Sequence, residues 1–203
     1  MTVQQIIDAV IRKTGLEPLP FEQTCDRLMA GSPDQEVHKI VTTFMATVDV
    51  VRKAVELGAD MIITHEPTWF TGHDTTEWLQ GDPVYLEKKR MIDEAGLAIW
   101  RFHDHMHMAA EDGIYRGFDR KLGWKEYRLP DVQERFGANY EIPAVTLAKL
   151  AQEFKQKLDM DVVQIVGNPG MTVRGSVLWS AAGHWGWAWR SVPCRSCARR
   201  IWM

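Results

Sequence analysis

Apolar residues repeat along most of the chain with two different periods. A spacing of three and four residues begins at Val3, where Thr2 stands in position to cap a helix and Gly15 in position to end it. The same spacing predicts further helices over residues 48–57, 85–95, 113–122 and 146–158. The pattern therefore predicts a series of amphipathic helices.

Short runs of β-branched and apolar residues lie between these helices. They predict strands over residues 39–45, 61–64, 97–102 and 162–166. The runs at 61–64 and 97–102 are largely apolar, which is typical of strands covered on both faces. Strands that alternate with helices imply an α/β fold with an open, mostly parallel sheet flanked by helices.

Two of the predicted strands end in side chains that can bind metal. His65 and Glu66 follow the run at 61–64, and the sequence His-Asp-His-Met-His follows the next run, at residues 103–107. Ligands of open α/β sheets gather just outside the carboxyl ends of the strands. We therefore expect these residues to line one cleft.

The second of these motifs places His103, His105 and His107 within five residues. An extended backbone would put all three imidazoles on one side, whereas a helical turn would align His103 with His107. Protonated imidazoles this close would repel one another, so the pattern favours a metal site. Because no thiolate lies nearby in sequence, the donors suit Zn, Mn, Fe or Co, and the sequence leaves the choice among them open.

Other polar residues have simpler interpretations. A single histidine at a strand end is more often an ordinary hydrogen-bonded residue than a ligand, so His65 alone does not define a site. His38 and His73 have the setting of surface or edge residues. Asp74 and Glu77 could form a loop ligand set with His73, although a solvated polar loop is the simpler explanation.

The composition is that of a globular protein, with 203 residues of which 45% are hydrophobic and 25% charged. A net charge of -3 gives no reason to expect a nucleic-acid surface. The chain has no long apolar run, no secretion signal at its start and few cysteines. We therefore expect a cytoplasmic protein that neither spans a membrane nor binds nucleic acid.

The segments ELGADMIITHEP (56–67) and RFHDHMH (101–107), the latter followed by EDGIYRGF, resemble the NGG-one-interacting-factor-three-like family of dinuclear-metal proteins. Members are often labelled GTP cyclohydrolase 1 type 2 homologues, and their two motifs usually read I-x-H-H-P and H-T-N-L-D. His65 matches the first histidine of one motif and Glu66 replaces the second. His103 and His107 match the two ends of the other motif. Both replacements, Glu for His and His for Asp, keep a side chain that can bind metal.

The resemblance implies the first lobe of a two-lobed dinuclear-metal fold, with four metal ligands: His65, Glu66, His103 and His107. Asp104 or His105 would then orient ligands or move protons as catalytic residues. The family also implies a homo-oligomer and a metal-dependent hydrolase of a nucleotide-like small molecule. The particular substrate stays unknown.

The resemblance divides the chain into three segments: a metal-binding α/β lobe over 1–128, a link and the start of a second lobe over 129–174, and an unrelated tail over 175–203. The tail contains four arginines, five tryptophans and no acidic residue, and it lacks helix or strand periodicity. A shifted reading frame soon after Arg174 explains this composition, so we expect a chain truncated relative to the family. Cys194 and Cys197 then form an accidental C-x-x-C rather than a redox or zinc motif.

Three functions from different classes remain open. The first is the metal-dependent hydrolase, and the second is a non-catalytic metal-binding or interaction protein. The third is a mononuclear hydrolase of the amidohydrolase type, whose motifs also include H-x-H. No phosphate-binding P-loop or Rossmann glycine pattern occurs in the sequence, so a nucleotide-like substrate depends on the resemblance alone.

Overall fold

A four-stranded sheet organises the first 110 residues of the computed structural model, which describes residues 1–130 and 138–178. The sheet has the order β1-β4-β3-β2, from strands β1 (Leu28–Ala30), β2 (Ile40–Thr43), β3 (Met61–Thr64) and β4 (Ala98–Arg101). Strands β2, β3 and β4 are parallel, and β1 joins β4 antiparallel at one edge. This confirms the predicted α/β class and the mostly parallel sheet, while the short strand β1 was not predicted.

Helices cover both faces of this sheet because side chains along a strand alternate between its faces. The helices of this unit are α1 (Val3–Thr14), α2 (Val48–Glu56), α3 (Pro83–Ala95) and the short α4 (Asp104–Met108). Met61 of β3 packs in one apolar cluster with residues of α1, and its neighbour Ile62 packs in a second cluster with residues of α2 and α3. The two-sided burial explains why this strand is almost entirely apolar.

The ends of α1 confirm the expected start and stop signals. The Thr2 hydroxyl accepts a hydrogen bond from the Gln5 N–H, and the Gln5 side chain accepts one from the Thr2 N–H in return. This reciprocal pair satisfies two backbone donors that the first turn leaves without partners. Gly15 ends the helix in the left-handed conformation.

A second compact unit begins at Glu111. Its elements are α5 (Gly113–Leu122), β5 (Ala138–Thr146), α6 (Leu147–Lys157) and β6 (Thr172–Leu178), with β5 and β6 antiparallel. The carboxylate of the buried Asp119 accepts hydrogen bonds from the Tyr140 hydroxyl (2.7 Å) and from Arg128 Nη1 (2.9 Å). A buried carboxylate needs such partners.

The strand predicted over residues 162–166 is wrong. The residues there are not in a strand, and Val162 and Val166 are exposed. Their β-branched side chains favour extended backbone but find no neighbouring strand, whereas β5 pairs with β6.

Strand β6 continues past residue 174 to Leu178. Residues 179–203, with Cys194 and Cys197, lie outside the described part of the chain. The three-segment division and the shifted reading frame therefore stay predictions. None of the helices in the described residues is long and apolar enough to cross a membrane.

A close approach of backbone segments at Gly31 gives a test of this packing. Gly31 has φ of +85°, and a Cβ placed there would lie 2.8 Å from the Cα of Ala98 in β4. Gly15 has a similar φ, +77°, but nothing lies within 4 Å of its Cβ position. We expect Gly15→Ala to lower the free energy of unfolding by about 1 kcal/mol through backbone strain alone. Gly31→Ala adds a steric clash and should cost about 3 kcal/mol. Urea unfolding measures both, and equal losses would contradict the close approach.

Candidate metal centre

The two histidine motifs meet at one edge of the sheet. His65 follows β3 directly, and His103 follows β4 after one intervening residue. Since Thr64 and Arg101 are paired in the parallel register, both strands end at the same level. Helix α4 begins immediately after His103, and its single turn brings His107 back beside His103. Of the two backbone conformations considered for this motif, the structure has the helical one.

The imidazole rings of His65, His103 and His107 form a tight group. The His65 and His103 rings are stacked with centroids 4.5 Å apart, and the His107 ring lies edge-on to both, at 5.0 and 4.7 Å. The Nε2 atoms of His65 and His107 are 3.3 Å apart. One potential ligand atom from each residue lies within 4.8 Å of the others. The group therefore has the residue types and the convergence of a metal site.

Hydrogen bonds on the far side of two rings determine which nitrogen is available. His65 Nδ1 is 3.2 Å from the Phe102 carbonyl oxygen, and His103 Nδ1 is 2.9 Å from Asp104 Oδ1. Each acceptor requires the proton on Nδ1, which leaves Nε2 unprotonated and facing the group. Histidines that bind metal are usually held in this way by a carbonyl or carboxylate.

The protonation of His65 also suits a ligand. Burial, followed by the neighbouring His103 and His107, lowers the pKa of His65 to about 4. At neutral pH the ring is therefore uncharged, the form in which imidazole binds metal.

Asp104 holds His103 in place rather than facing the three-ring group. Its Oδ2 accepts hydrogen bonds from the Cys25 N–H (2.7 Å) and the Thr24 hydroxyl (3.0 Å), while Oδ1 meets His103. Burial opposes ionisation of this carboxyl, but the hydrogen bonds from His103, Cys25 and Thr24 outweigh burial and hold its pKa well below the ordinary value. Asp104 is thus an ionised orienting group.

His105 points away from its two neighbours in the motif. Its Nδ1 is 2.6 Å from Asp26 Oδ2, and its Nε2 accepts a hydrogen bond from the Leu19 N–H at 3.1 Å. Both ring nitrogens are engaged by the protein, and the side chain is buried. The expected catalytic role of His105 is therefore not supported by its contacts, because neither nitrogen is available to move a proton.

Glu66 belongs to neither cluster of potential ligands found among the described residues. Its backbone N–H donates to the Phe44 carbonyl, as does the N–H of His65. The backbone here is fixed, but the Glu66 carboxylate is not brought into the three-histidine group.

The Asp26 carboxylate has four hydrogen-bond contacts with the turn that carries the histidines, and the sequence analysis did not identify it. Its carboxylate accepts the backbone N–H groups of His103 (2.6 Å), Asp104 (2.7 Å) and His105 (3.0 Å) as well as the His105 ring. These are donors that the first turn of a helix leaves without partners, and a negative charge at this end is favourable. The partners lie more than 75 residues away along the chain, so no local motif signals the contact.

Buried cations hold the loop that follows His65. Arg101 donates to the carbonyls of His65 (3.4 Å) and Gly72 (2.7 Å), and Lys88 donates to the carbonyl of Thr68. Burial lowers the pKa of Lys88 to about 8, although the nearby Asp74 opposes this shift. The Asp74 carboxylate accepts the N–H of Thr68, so Asp74 serves this loop and not a metal-binding group with Glu77.

Comparison with known proteins agrees with the resemblance seen in the sequence. A family model described as Duf34/NIF3 (NGG1p interacting factor 3) matches residues 1–183, which extends past Arg174, where we expected the similarity to stop. A GTP cyclohydrolase 1 type 2 homolog of Lactococcus lactis subsp. lactis (strain IL1403) is 24% identical over 140 residues. The match covers 68% of this chain and 52% of that relative, so the chain spans about half the length of the curated relative.

Two solved structures show the same fold. The Bacillus cereus protein related to NIF3 superposes with a TM-score of 0.73 at 15% identity, covering 88% of this chain and 76% of that one. Staphylococcus aureus protein SA1388 superposes with a TM-score of 0.67 at 18% identity, covering 88% and 72%. At these identities the comparison establishes the fold alone.

The role of Asp26 can be tested by removing its carboxylate. Asp26→Ala leaves three backbone N–H groups and one imidazole buried without their acceptor, so we expect a loss of about 3–5 kcal/mol in the free energy of unfolding. The control is Asp34→Ala, because Asp34 is exposed and its loss should cost within about 0.5 kcal/mol. Urea unfolding of the metal-free proteins gives both values. A loss below about 1 kcal/mol for Asp26→Ala would show that another group organises this turn.

Proposed function

The chain belongs to the Duf34/NIF3 family, and from this premise we propose that it binds a divalent metal ion through His65, His103 and His107. The observation that carries the proposal is the orientation of the rings. Two of the three imidazoles donate Nδ1–H to fixed protein acceptors, and one potential ligand atom from each of the three residues lies within 4.8 Å of the others. The donor set fits a borderline ion, so Zn, Mn, Fe and Co are the candidates.

Glu66 is proposed as an additional ligand that requires rotation of its side chain. It follows His65 directly and replaces a histidine of the family motif. Its carboxylate would contribute the negative charge that the three neutral imidazoles lack. Before Glu66 binds, an ion held by the three imidazoles keeps a coordination position open for water or substrate.

We propose a metal-dependent hydrolase acting on a nucleotide-like small molecule as the activity. The support is the family and the name of the Lactococcus relative, a GTP cyclohydrolase homolog. A bound divalent ion would polarise a substrate oxygen and make water more acidic. Asp104 contributes by holding His103 in the tautomer that presents Nε2.

A non-catalytic metal-binding protein is the second candidate, and one observation favours it. In the described part of the chain, the two residues expected to transfer protons are both engaged: Asp104 accepts several hydrogen bonds, and both nitrogens of His105 have partners. A general base must reach the proton that it removes. The amidohydrolase-type alternative is weakened for the same reason, because His105 does not join its neighbours in one array.

The cellular setting is part of the same proposal. We expect a homo-oligomer in the cytoplasm that meets its substrate as a small molecule, with neither membrane nor nucleic acid as a partner. Family membership motivates the oligomer.

Metal binding is tested by replacing each ligand in turn. His65→Ala, His103→Ala and His107→Ala each remove a direct ligand, so each should weaken binding by more than the roughly 10 to 100-fold expected for an orienting partner. His38→Ala is the matched control, because His38 is an exposed histidine outside the group. Affinity is measured by titration with zinc after chelator treatment. Equal affinity in the His107→Ala and His38→Ala proteins would refute the three-histidine site.

The activity is tested on the metal-loaded chain with GTP as the first substrate. We expect turnover that depends on added metal and falls by about 100-fold or more in His103→Ala, while His38→Ala retains it. Product formation is followed by chromatography. Tight metal binding without turnover of GTP or related nucleotides would favour the non-catalytic candidate.

A further inference from the structure

A second cluster of metal-binding side chains lies on the opposite edge of the His103 ring. Potential ligand atoms of Cys25, His103 and Asp104 all lie within 4.8 Å of one another. Cys25 is half-buried and is the free cysteine in the described residues. Cys25 immediately precedes Asp26. Because the Asp26 carboxylate binds the N–H groups at the start of α4, the Cys25 thiol is also brought close to His103 and Asp104.

The donors of this cluster are already close to the spacing that a metal requires. His103 Nδ1 and Asp104 Oδ1 are 2.9 Å apart, and the Cys25 backbone is fixed by its N–H, which donates to Asp104 Oδ2 at 2.7 Å. Donor atoms around a tetrahedral zinc ion lie about 3.5 Å apart, given Zn–N and Zn–O distances near 2.1 Å and Zn–S near 2.3 Å. Since all three ligand atoms lie within 4.8 Å of one another, each separation needs to change by about 1.3 Å or less to complete the geometry.

We propose that Cys25, His103 and Asp104 form a second divalent-cation site, selective for a thiophilic ion such as zinc. The thiol proton of Cys25 and the Nδ1 proton of His103 are released to solvent, and bonds form from sulfur, Nδ1 and Asp104 Oδ1 to the ion. The thiolate gives this site a softer donor than the three-histidine group has.

The proposal rests on the proposed function in one respect, because His103 is shared. The three-histidine ion would use Nε2 of His103 and the second ion would use Nδ1, so the imidazole bridges the two sites. The thiolate, the Asp104 carboxylate and the doubly deprotonated imidazole supply three negative charges to offset the two ions. These charges reduce the repulsion between two cations that lie on opposite sides of the His103 ring.

The experiment uses the full chain with Cys194→Ser and Cys197→Ser as background, so that any thiolate signal comes from Cys25. Cys25→Ala and His107→Ala are added singly to this background. Zinc content after dialysis gives the stoichiometry, and cobalt(II) substitution reports thiolate ligation through its charge-transfer absorption in the near ultraviolet. Circular dichroism confirms that each variant is folded.

We expect two zinc ions per chain and a thiolate-to-cobalt band in the background protein. Cys25→Ala should retain one ion and lose the band, whereas His107→Ala should retain one ion and keep the band. Zinc should also slow alkylation of Cys25 by iodoacetamide by about tenfold or more, in the background and in His107→Ala alike.

A cobalt spectrum without a thiolate band in the background protein would overturn the second site, and so would a zinc content that Cys25→Ala leaves unchanged. A band that persists in Cys25→Ala would do the same. The two proposals fail in different ways. If His107→Ala leaves the zinc content unchanged while Cys25→Ala removes an ion, the three-histidine site fails and the Cys25 site stands. The reverse result removes the Cys25 site alone.

Discussion

The candidate site depends on one buried carboxylate. Asp26 accepts the three N–H groups at the start of α4 and the ring of His105, so it determines where this turn begins and how it is oriented. A five-residue helix has too few internal hydrogen bonds to be stable by itself. With Asp26 in place, His103 and His107 lie on the same side of the turn and His105 is held on the other.

The remaining contacts of the site follow from that geometry. Once His103 has the Ncap position of α4, Asp104 can reach its Nδ1 and the Thr24–Cys25 segment together. His65 reaches the group because β3 and β4 are parallel neighbours that end in register, and its own Nδ1 meets the carbonyl just beyond β4. The Asp104 carboxylate therefore contacts His103 at Nδ1, and Nε2 is the nitrogen that His103 would offer to a metal.

The departures from the motifs that the sequence resembles would change the charge of the three-histidine group. The usual aspartate is His107 here, and the structure brings His107 into the group while leaving the Glu66 carboxylate outside it. Three neutral ligands do not offset the charge of a divalent ion, whereas a carboxylate would reduce it by one unit. An ion in this group would act as a stronger Lewis acid and attract an anionic ligand.

The sequence by itself determined three of the four strands of the sheet and the position of the histidines that follow two of them. Helix α1, strands β2, β3 and β4, and the histidines after β3 and β4 follow from periodicity, because burial on a helix or strand imposes a repeat that a single chain displays. Only the tertiary structure decided which of the polar residues face one another. The positions of Asp26 and Cys25 and the turning of His105 away from His103 and His107 depend on contacts between segments almost eighty residues apart. The strand expected at 162–166 did not form because no neighbouring strand pairs with it. Hydrogen bonding and strand pairing need a partner in space, and a partner distant along the chain leaves no local pattern to read.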